Sequence, residues 1–252
     1  MNSTARLRMF AGPNGSGKST FKDDLRPEWL GVYINADEIE KQLRTQAELN
    51  LTEFEIAPTQ AELQTFLAQS SLLANQGLLD EIGKVQLVDG KVIFGQVKPN
   101  SYFASVLADF IRHKLLDAHV SFTFETVMSF PDKVAFLEKA QQAGYRTYLY
   151  YVATEDPEIN IDRVRHRVAM GGHPVDEDKI ISRYARSLAL LFDAVTHSDR
   201  AYIFDNSGDG QTKDWIAEVT NGEEIEMKTD QMPAWFKTAL WDKFGEEEPG
   251  HE

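Results

Sequence analysis

The chain has 252 residues, 42% hydrophobic and 26% charged, and is long enough for one large α/β domain or a domain with an insertion. It has no cysteine, which excludes disulfides, thiolate metal sites and cysteine nucleophiles and agrees with a reducing cytoplasm. Forty acidic residues against 26 basic ones leave a formal net charge of −14, which argues against a long basic groove for nucleic acid.

No apolar run approaches a membrane span, and Met1 to Arg8 is too short and polar for a signal peptide, so a cytoplasmic protein with no membrane partner is expected. The first element is a strand over residues 6–11. It runs into Gly12-Pro13-Asn14-Gly15-Ser16-Gly17-Lys18-Ser19-Thr20, which fits the pattern G-x-x-x-x-G-K-[ST]. The fixed positions divide the work of holding a triphosphate. Glycines let backbone N–H groups curl around phosphates, Lys18 neutralises the β/γ-phosphates, and the Ser19 hydroxyl ligates Mg²⁺. A short helix follows from Phe21 and ends at Arg26-Pro27.

The second strand, Gly31 to Ile34, leads into Asn35-Ala36-Asp37-Glu38-Ile39. A carboxylate just past a strand end lies at the mouth of an open sheet, so Asp37 is a site candidate; a helix N-cap explains it equally well. Residues 50–100 break the pattern. A helix over 60–76 precedes two short strands joined by Asp89-Gly90, a strong hairpin signal, and a hairpin is no crossover element of a parallel sheet. The segment therefore reads as an insertion that helps form an acceptor pocket.

A helix over 102–116 leads to the third strand, Val120 to Thr126, with Glu125 near its end. Glu125 reads as a group that orients Mg²⁺ waters or grips a substrate hydroxyl, or else as a solvated strand end. After a helix over 131–143 comes the fourth strand, Arg146 to Ala153. The next helix, 159–169, carries Arg163 and Arg167 one turn apart, a repulsive pair unless an anion or nearby carboxylates such as Asp162 answer it. Gly171-Gly172-His173-Pro174 then reads as a mobile loop, followed by a helix over 177–195 with Arg183 and Arg186. Two arginine-bearing helices around a Gly-rich loop suit a lid over a triphosphate.

The fifth strand, residues 201–205, ends in Asn206-Ser207-Gly208-Asp209-Gly210, which suits a nucleobase or an ordinary turn. Beyond Gly222, residues 223–252 are expected to hold one amphipathic helix over 233–244 and a disordered acidic tail from Glu246, leaving 1–222 as the domain built on the phosphate loop.

Together GPNGSGKST, NADEI, FTFETV, DRVRHRVAMGGHPV with RYARSL, and IFDNS resemble the zeta toxin family of P-loop kinases over about residues 6 to 207, apart from the insertion. The resemblance implies a doubly wound, mostly parallel five-stranded P-loop sheet. It also implies transfer of the ATP γ-phosphate to a hydroxyl of a UDP-activated amino sugar, with Mg²⁺ as cofactor and an antitoxin protein as a partner. By the same resemblance Asp37 matches the general base and Glu125 a substrate-contacting glutamate. Arg163 or Arg167, and less closely Arg183, match phosphate-clamping arginines. The insertion and the Gly-Gly-His lid depart from the founding toxins and leave the acceptor open. The competing reading is a P-loop NTPase that hydrolyses ATP to act on a protein partner. Against it, Phe122-Thr123-Phe124-Glu125 is a poor version of the apolar run ending in Asp that such switches carry.

Overall fold

Strand formation follows the β-branched and aromatic runs of the sequence. In the computed structural model, which describes residues 4–172, 174–208 and 212–246, these runs become β1 (Arg6–Ala11), β2 (Val32–Ile34), β3 (Glu48–Asn50), β4 (Gln86–Val88), β5 (Lys91–Ile93), β6 (Phe122–Thr126), β7 (Arg146–Ala153), β8 (Arg200–Asp205), β9 (Asp214–Thr220) and β10 (Glu224–Met227). His173, Asp209, Gly210 and residues 247–252 of the predicted tail lie outside the described residues. Two compact units result, one from Met1–Trp29 and Glu125–Glu252, the other from Leu30–Phe124. Among the described residues no helix is long and apolar enough to cross a membrane.

In the first unit β1 pairs parallel with β7, Arg6 facing Arg146 and Ala11 facing Tyr151. β7 pairs parallel with β8 in turn, Tyr148 facing Arg200 and Ala153 facing Asp205. All five predicted strands form, and the pairings among β1, β7 and β8 and between β2 and β6 are parallel, as in a doubly wound α/β fold. β9 and β10 add an antiparallel hairpin beside β8 that the sequence reading lacks. Its strand character is hidden by Glu218, which is buried in β9 because Arg200 and Lys228 both pair with it. On one sheet face Phe10, Phe21, Tyr150 and Phe204 form a chain of ring contacts with centroids 5.0 to 5.7 Å apart. Such tilted and edge-on contacts are the favoured aromatic geometries, and they fix the short helix after the phosphate loop to the sheet.

The helix predicted over 177–195 is two helices, Glu177–Ala189 and Leu191–Thr196. In the predicted loop Gly171-Gly172-His173-Pro174, the two glycines close the end of the preceding helix. Gly171 is left-handed at φ 90°, its N–H bonds the Val168 carbonyl at 2.9 Å, and the Gly172 N–H bonds the Arg167 carbonyl at 2.9 Å. These bonds satisfy the last carbonyls of the helix Pro157–Ala169, the usual role of a glycine just past a helix end.

In the second unit β2 pairs parallel with β6, and the helix Ser101–Asp117 buries Phe103, Leu107, Phe110, Ile111 and Leu115. The Asp89-Gly90 hairpin forms as read, with φ of 50° and 76° at the turn. β3 joins β5 from the other side to make a three-stranded sheet in the order β3-β5-β4. The helix predicted over 60–76 divides into Gln60–Ala68 and Ser71–Asn75, because the Ser70 hydroxyl accepts the Leu73 N–H and starts a new helix.

Candidate nucleotide site

The phosphate loop is shaped by three glycines in conformations that other residues rarely adopt: Gly12, Gly15 and Gly17 have φ of 142°, 77° and 98°. Each also lies against a different neighbour. A Cβ on Gly12 would come within 2.0 Å of the Val152 carbonyl at the end of β7, one on Gly15 within 2.6 Å of the Asn160 carbonyl, and one on Gly17 within 2.5 Å of Asn206 Nδ2. The glycines thus bend the loop and let three other segments close around it.

Those segments bind it by hydrogen bonds. Asn160, fully buried, donates from Nδ2 to the Asn14 carbonyl at 2.6 Å and is itself held by the Thr154 hydroxyl. Asn206 donates from Nδ2 to the Ser16 carbonyl at 2.8 Å. Its own backbone N–H bonds the Ala153 carbonyl at 2.8 Å, so the ends of β7 and β8 act as one support. Within the loop the Ser16 N–H bonds the Pro13 carbonyl and the Thr20 N–H the Gly17 carbonyl, both at 3.3 Å. Inside the loop Ser16 Oγ is fully buried and has no hydrogen-bond partner, as suits a group waiting for a phosphate oxygen.

Lys18 folds back and donates to the Pro13 carbonyl at 2.7 Å. Ser19 Oγ donates to Glu125 Oε2 at 3.0 Å. Glu125 is half-buried at the end of β6. A hydroxyl and a carboxylate side by side are hard oxygen donors, the type that Mg²⁺ takes in small number while keeping waters and substrate phosphates. Among the described residues no group of three or more His, Cys, Asp or Glu side chains is placed to hold a metal ion. Thr20 Oγ1 donates to the Gly17 carbonyl at 2.9 Å and receives Lys213 Nζ at 2.5 Å.

The arginines fare differently. Arg183 brings NH1 to 3.5 Å from Asn14 Oδ1, at the loop itself. Arg163 donates to the carbonyls of Asn206 at 2.6 Å and Gly208 at 3.0 Å, bracing the turn after β8. Asp162, weighed as a neutralising partner for this helix, pairs instead with Arg165, which also binds Glu177. Arg167 is exposed near the helix end. Arg186 stacks over the exposed Phe130 ring, 4.8 Å from its centroid. The two arginine-bearing helices pack on each other through Ile161, Val164 and Ile180. Tyr184 anchors the second by donating to the Thr154 carbonyl at 2.6 Å. Burial first, and then Glu155, Asp156 and Asp205 nearby, raise the pKa of that phenol.

Asp37 stands in the second unit, exposed at the second position of the helix Ala36–Gln46. It is not the N-cap: the Asn35 side chain accepts the N–H groups of Asp37 at 2.9 Å and Glu38 at 3.3 Å and fills that role. The cap alternative for Asp37 is removed, and its carboxylate is left for solvent or ligand.

Sequence reasoning missed Asn160 and Lys213 and gave Asn206 only as part of a polar turn. Asn160 sits mid-helix, where asparagine is a mediocre helix former, and that is the one local sign of a tertiary role. Lys213 carries no local signal at all.

The zeta toxin family model matches residues 97–212, a span that contains Glu125, Arg163, Arg167 and Arg183. An uncharacterized protein of Haemophilus influenzae is 31% identical over 72 residues, which are 29% of this chain and 51% of that protein. The chain therefore spans about half the length of that curated relative. A structure from the PezAT chromosomal toxin-antitoxin system of Streptococcus pneumoniae superposes with a TM-score of 0.50 at 16% identity, over 99% of this chain and 82% of the other. The AvrRxo1-ORF1:-ORF2 crystal structure with ATP gives a TM-score of 0.50 at 14% identity, over 100% of this chain and 66% of the other. At these identities the two structures speak to the fold alone, a mixed α/β fold with a mostly parallel central sheet. Residues 97–212 thus match the zeta toxin family model, and the fold is similar to that of the PezAT structure.

Proposed function

We propose that the protein is an ATP- and Mg²⁺-dependent phosphotransferase acting on a hydroxyl of a small molecule. The observation that carries this reading is the 3.0 Å hydrogen bond between Ser19 and Glu125, because it sets a metal-type oxygen pair at the mouth of a formed G-x-x-x-x-G-K-[ST] loop. The bound ATP of the AvrRxo1-ORF1:-ORF2 structure supports the choice of nucleotide.

In this reading Ser19 and Glu125 would hold Mg²⁺, which would supply positive charge to offset that of the triphosphate. Lys18 leaves the Pro13 carbonyl for the phosphate oxygens, and the loop amides with Ser16 Oγ hold the rest. Asp37 accepts the proton of the acceptor hydroxyl as its oxygen bonds the γ-phosphorus; the bond to the bridging oxygen breaks, and ADP leaves with the electron pair. Arg183, near Asn14, is the best placed of the arginines to offset charge on the transferring group, with Arg163 and Arg167 as the other candidates.

For the acceptor, the second unit offers a cavity of about 630 Å³ lined by Arg44, Lys98, Asn100 and Phe103 among others. That size suits a small ligand. Lys98 and Arg44, the latter paired with Glu40 and both set against the lining carboxylate of Glu81, suit an acceptor bearing phosphates, such as a UDP-activated sugar. Arg44 shares the helix Ala36–Gln46 with Asp37 at a spacing of seven residues, roughly two turns and so nearly the same face. The toxin-antitoxin setting of the PezAT structure supports an antitoxin protein as partner, and the absence of cysteine supports a cytoplasmic site of action.

The test is product formation from ATP and candidate sugar nucleotides, or a metabolite extract, read by mass spectrometry. Lys18→Ala and Asp37→Asn should both abolish the phosphorylated product, with ATP binding kept in Asp37→Asn. Turnover retained in Asp37→Asn rejects the base assignment. Steady ATP hydrolysis with no acceptor present would favour an NTPase switch instead.

A further inference from the structure

Lys213 enters the nucleotide site from the connection between β8 and β9. Its ammonium lies 2.5 Å from Thr20 Oγ1 and 2.7 Å from Asp24 Oδ2, and 4.6 Å from the centroid of the Phe21 ring. Its side chain is only 8% exposed, whereas that of Asp24 is 57% exposed. The Thr20 hydroxyl spends its proton on the Gly17 carbonyl, so Lys213, Thr20 and the phosphate loop form one hydrogen-bonded chain. A merely structural tether would need only a neutral donor at Thr20. A desolvated ammonium answered by a largely solvated carboxylate is an incomplete arrangement, because burial of a charge is costly unless it is well paired.

We propose that Lys213 is a second phosphate-binding lysine, directed at the α-phosphate of the nucleotide. The assignment rests on the reading of the loop as a nucleoside triphosphate site. Along that loop Lys18 serves the β/γ-phosphates and Ser19 the metal between them, while the amides cradle the α/β-phosphates. Thr20 comes next, so the phosphate left to a cation at its hydroxyl is the one nearest the ribose. Phosphate oxygens would then replace the Asp24 carboxylate around the ammonium, exchanging a pair whose carboxylate half is solvated for a charge-assisted bond in the site.

The α-phosphate is common to AMP, ADP and ATP, and that separates the two lysines. Calorimetric titration of the full chain with each nucleotide should show Lys213→Gln weakening all three by a similar factor, on the order of 10-fold for a lost charge-assisted contact. Lys18→Ala should weaken ATP and ADP and spare AMP. Lys213→Arg should restore most of the affinity, and Asp24→Asn, which releases the ammonium, should tighten binding. Equal affinities in Lys213→Gln and the native chain, or weaker binding in Asp24→Asn, would overturn the assignment and leave Lys213 a structural tether. Thermal unfolding of the same variants identifies any loss of affinity that comes from a failure to fold, and Lys213→Arg still decides the matter if Lys213→Gln is unstable. No binding by the native chain would remove the nucleotide reading and this assignment together.

Discussion

Ser19 Oγ and Glu125 Oε2 are 3.0 Å apart although 106 positions separate them in the chain. The bond joins the hydroxyl that follows Lys18 in the phosphate loop to a carboxylate near the end of β6, and under the proposed function it orders the roles open to Glu125. Under that reading, a carboxylate in contact with Ser19 is assigned to the metal side of the site before the acceptor side. Under the proposed reading Glu125→Gln raises the Mg²⁺ concentration for half-maximal activity about 10-fold, within the usual range for loss of a group near a metal. Titration of activity with Mg²⁺ at fixed substrates measures it. An unchanged Mg²⁺ midpoint with a raised KM for the acceptor would return Glu125 to the substrate.

Asn206→Ala removes the donor that holds the Ser16 carbonyl and leaves the turn after β8 without its link to the loop. An unmade bond to such a group costs about 1–3 kcal/mol, and part of that should appear as nucleotide affinity reduced by roughly 10-fold. Fluorescence or calorimetric titration with Mg·ATP checks it. Affinity at the native level would mean that the loop holds its shape without Asn206.

Asp205 is buried and accepts hydrogen bonds from the Ser207 N–H and hydroxyl and, at 2.6 Å, from Trp235 Nε1. The helical segment that begins at Ala234 is thereby tied to the turn that supports the phosphate loop. Trp235→Phe keeps most of the apolar contact but deletes the indole donor to a carboxylate, a loss of about 1.5–3 kcal/mol. In a chain of this size each kcal/mol shifts Tm by roughly 2–4 °C, so a fall of several degrees is expected in thermal denaturation.

Alkaline pH should expose the buried tyrosines. Burial, above all, pushes the Tyr150 phenol up to about 12 and raises those of Tyr151, Tyr184 and Tyr202. In the unfolded chain a tyrosine titrates near about 10. The folded state therefore holds more protons above that pH. Its stability from these groups is complete below about pH 10 and is lost as pH rises toward the folded values. Denaturant midpoints measured between about pH 9 and 12 should decline, and less steeply in Tyr150→Phe.

The sequence alone determined the features that a window of about ten residues encodes. The strand, glycine loop and Lys18-Ser19-Thr20 of the phosphate site, the five runs that became β1, β2, β6, β7 and β8, and the Asp89-Gly90 hairpin rest on local periodicity and turn chemistry, which act before any tertiary contact forms. Asp37 was legible as a carboxylate past a strand end, although only the neighbouring bonds of Asn35 showed that it is not a cap. Tertiary structure decided the rest. β9 exists as a strand because Arg200 and Lys228 neutralise its buried Glu218, a pairing that no local propensity contains. Gly171 and Gly172, read as the start of a loop, also cap a helix, because their N–H groups find the Val168 and Arg167 carbonyls at the end of Pro157–Ala169. Above all, Asn160, Asn206 and Lys213 reach the phosphate loop from 146, 190 and 193 positions away. Side chains meet over such separations only after parallel pairing has brought the carboxyl ends of β1, β7 and β8 to one edge of the sheet. A linear reading finds the loop that holds the phosphates; the fold selects the residues that hold the loop.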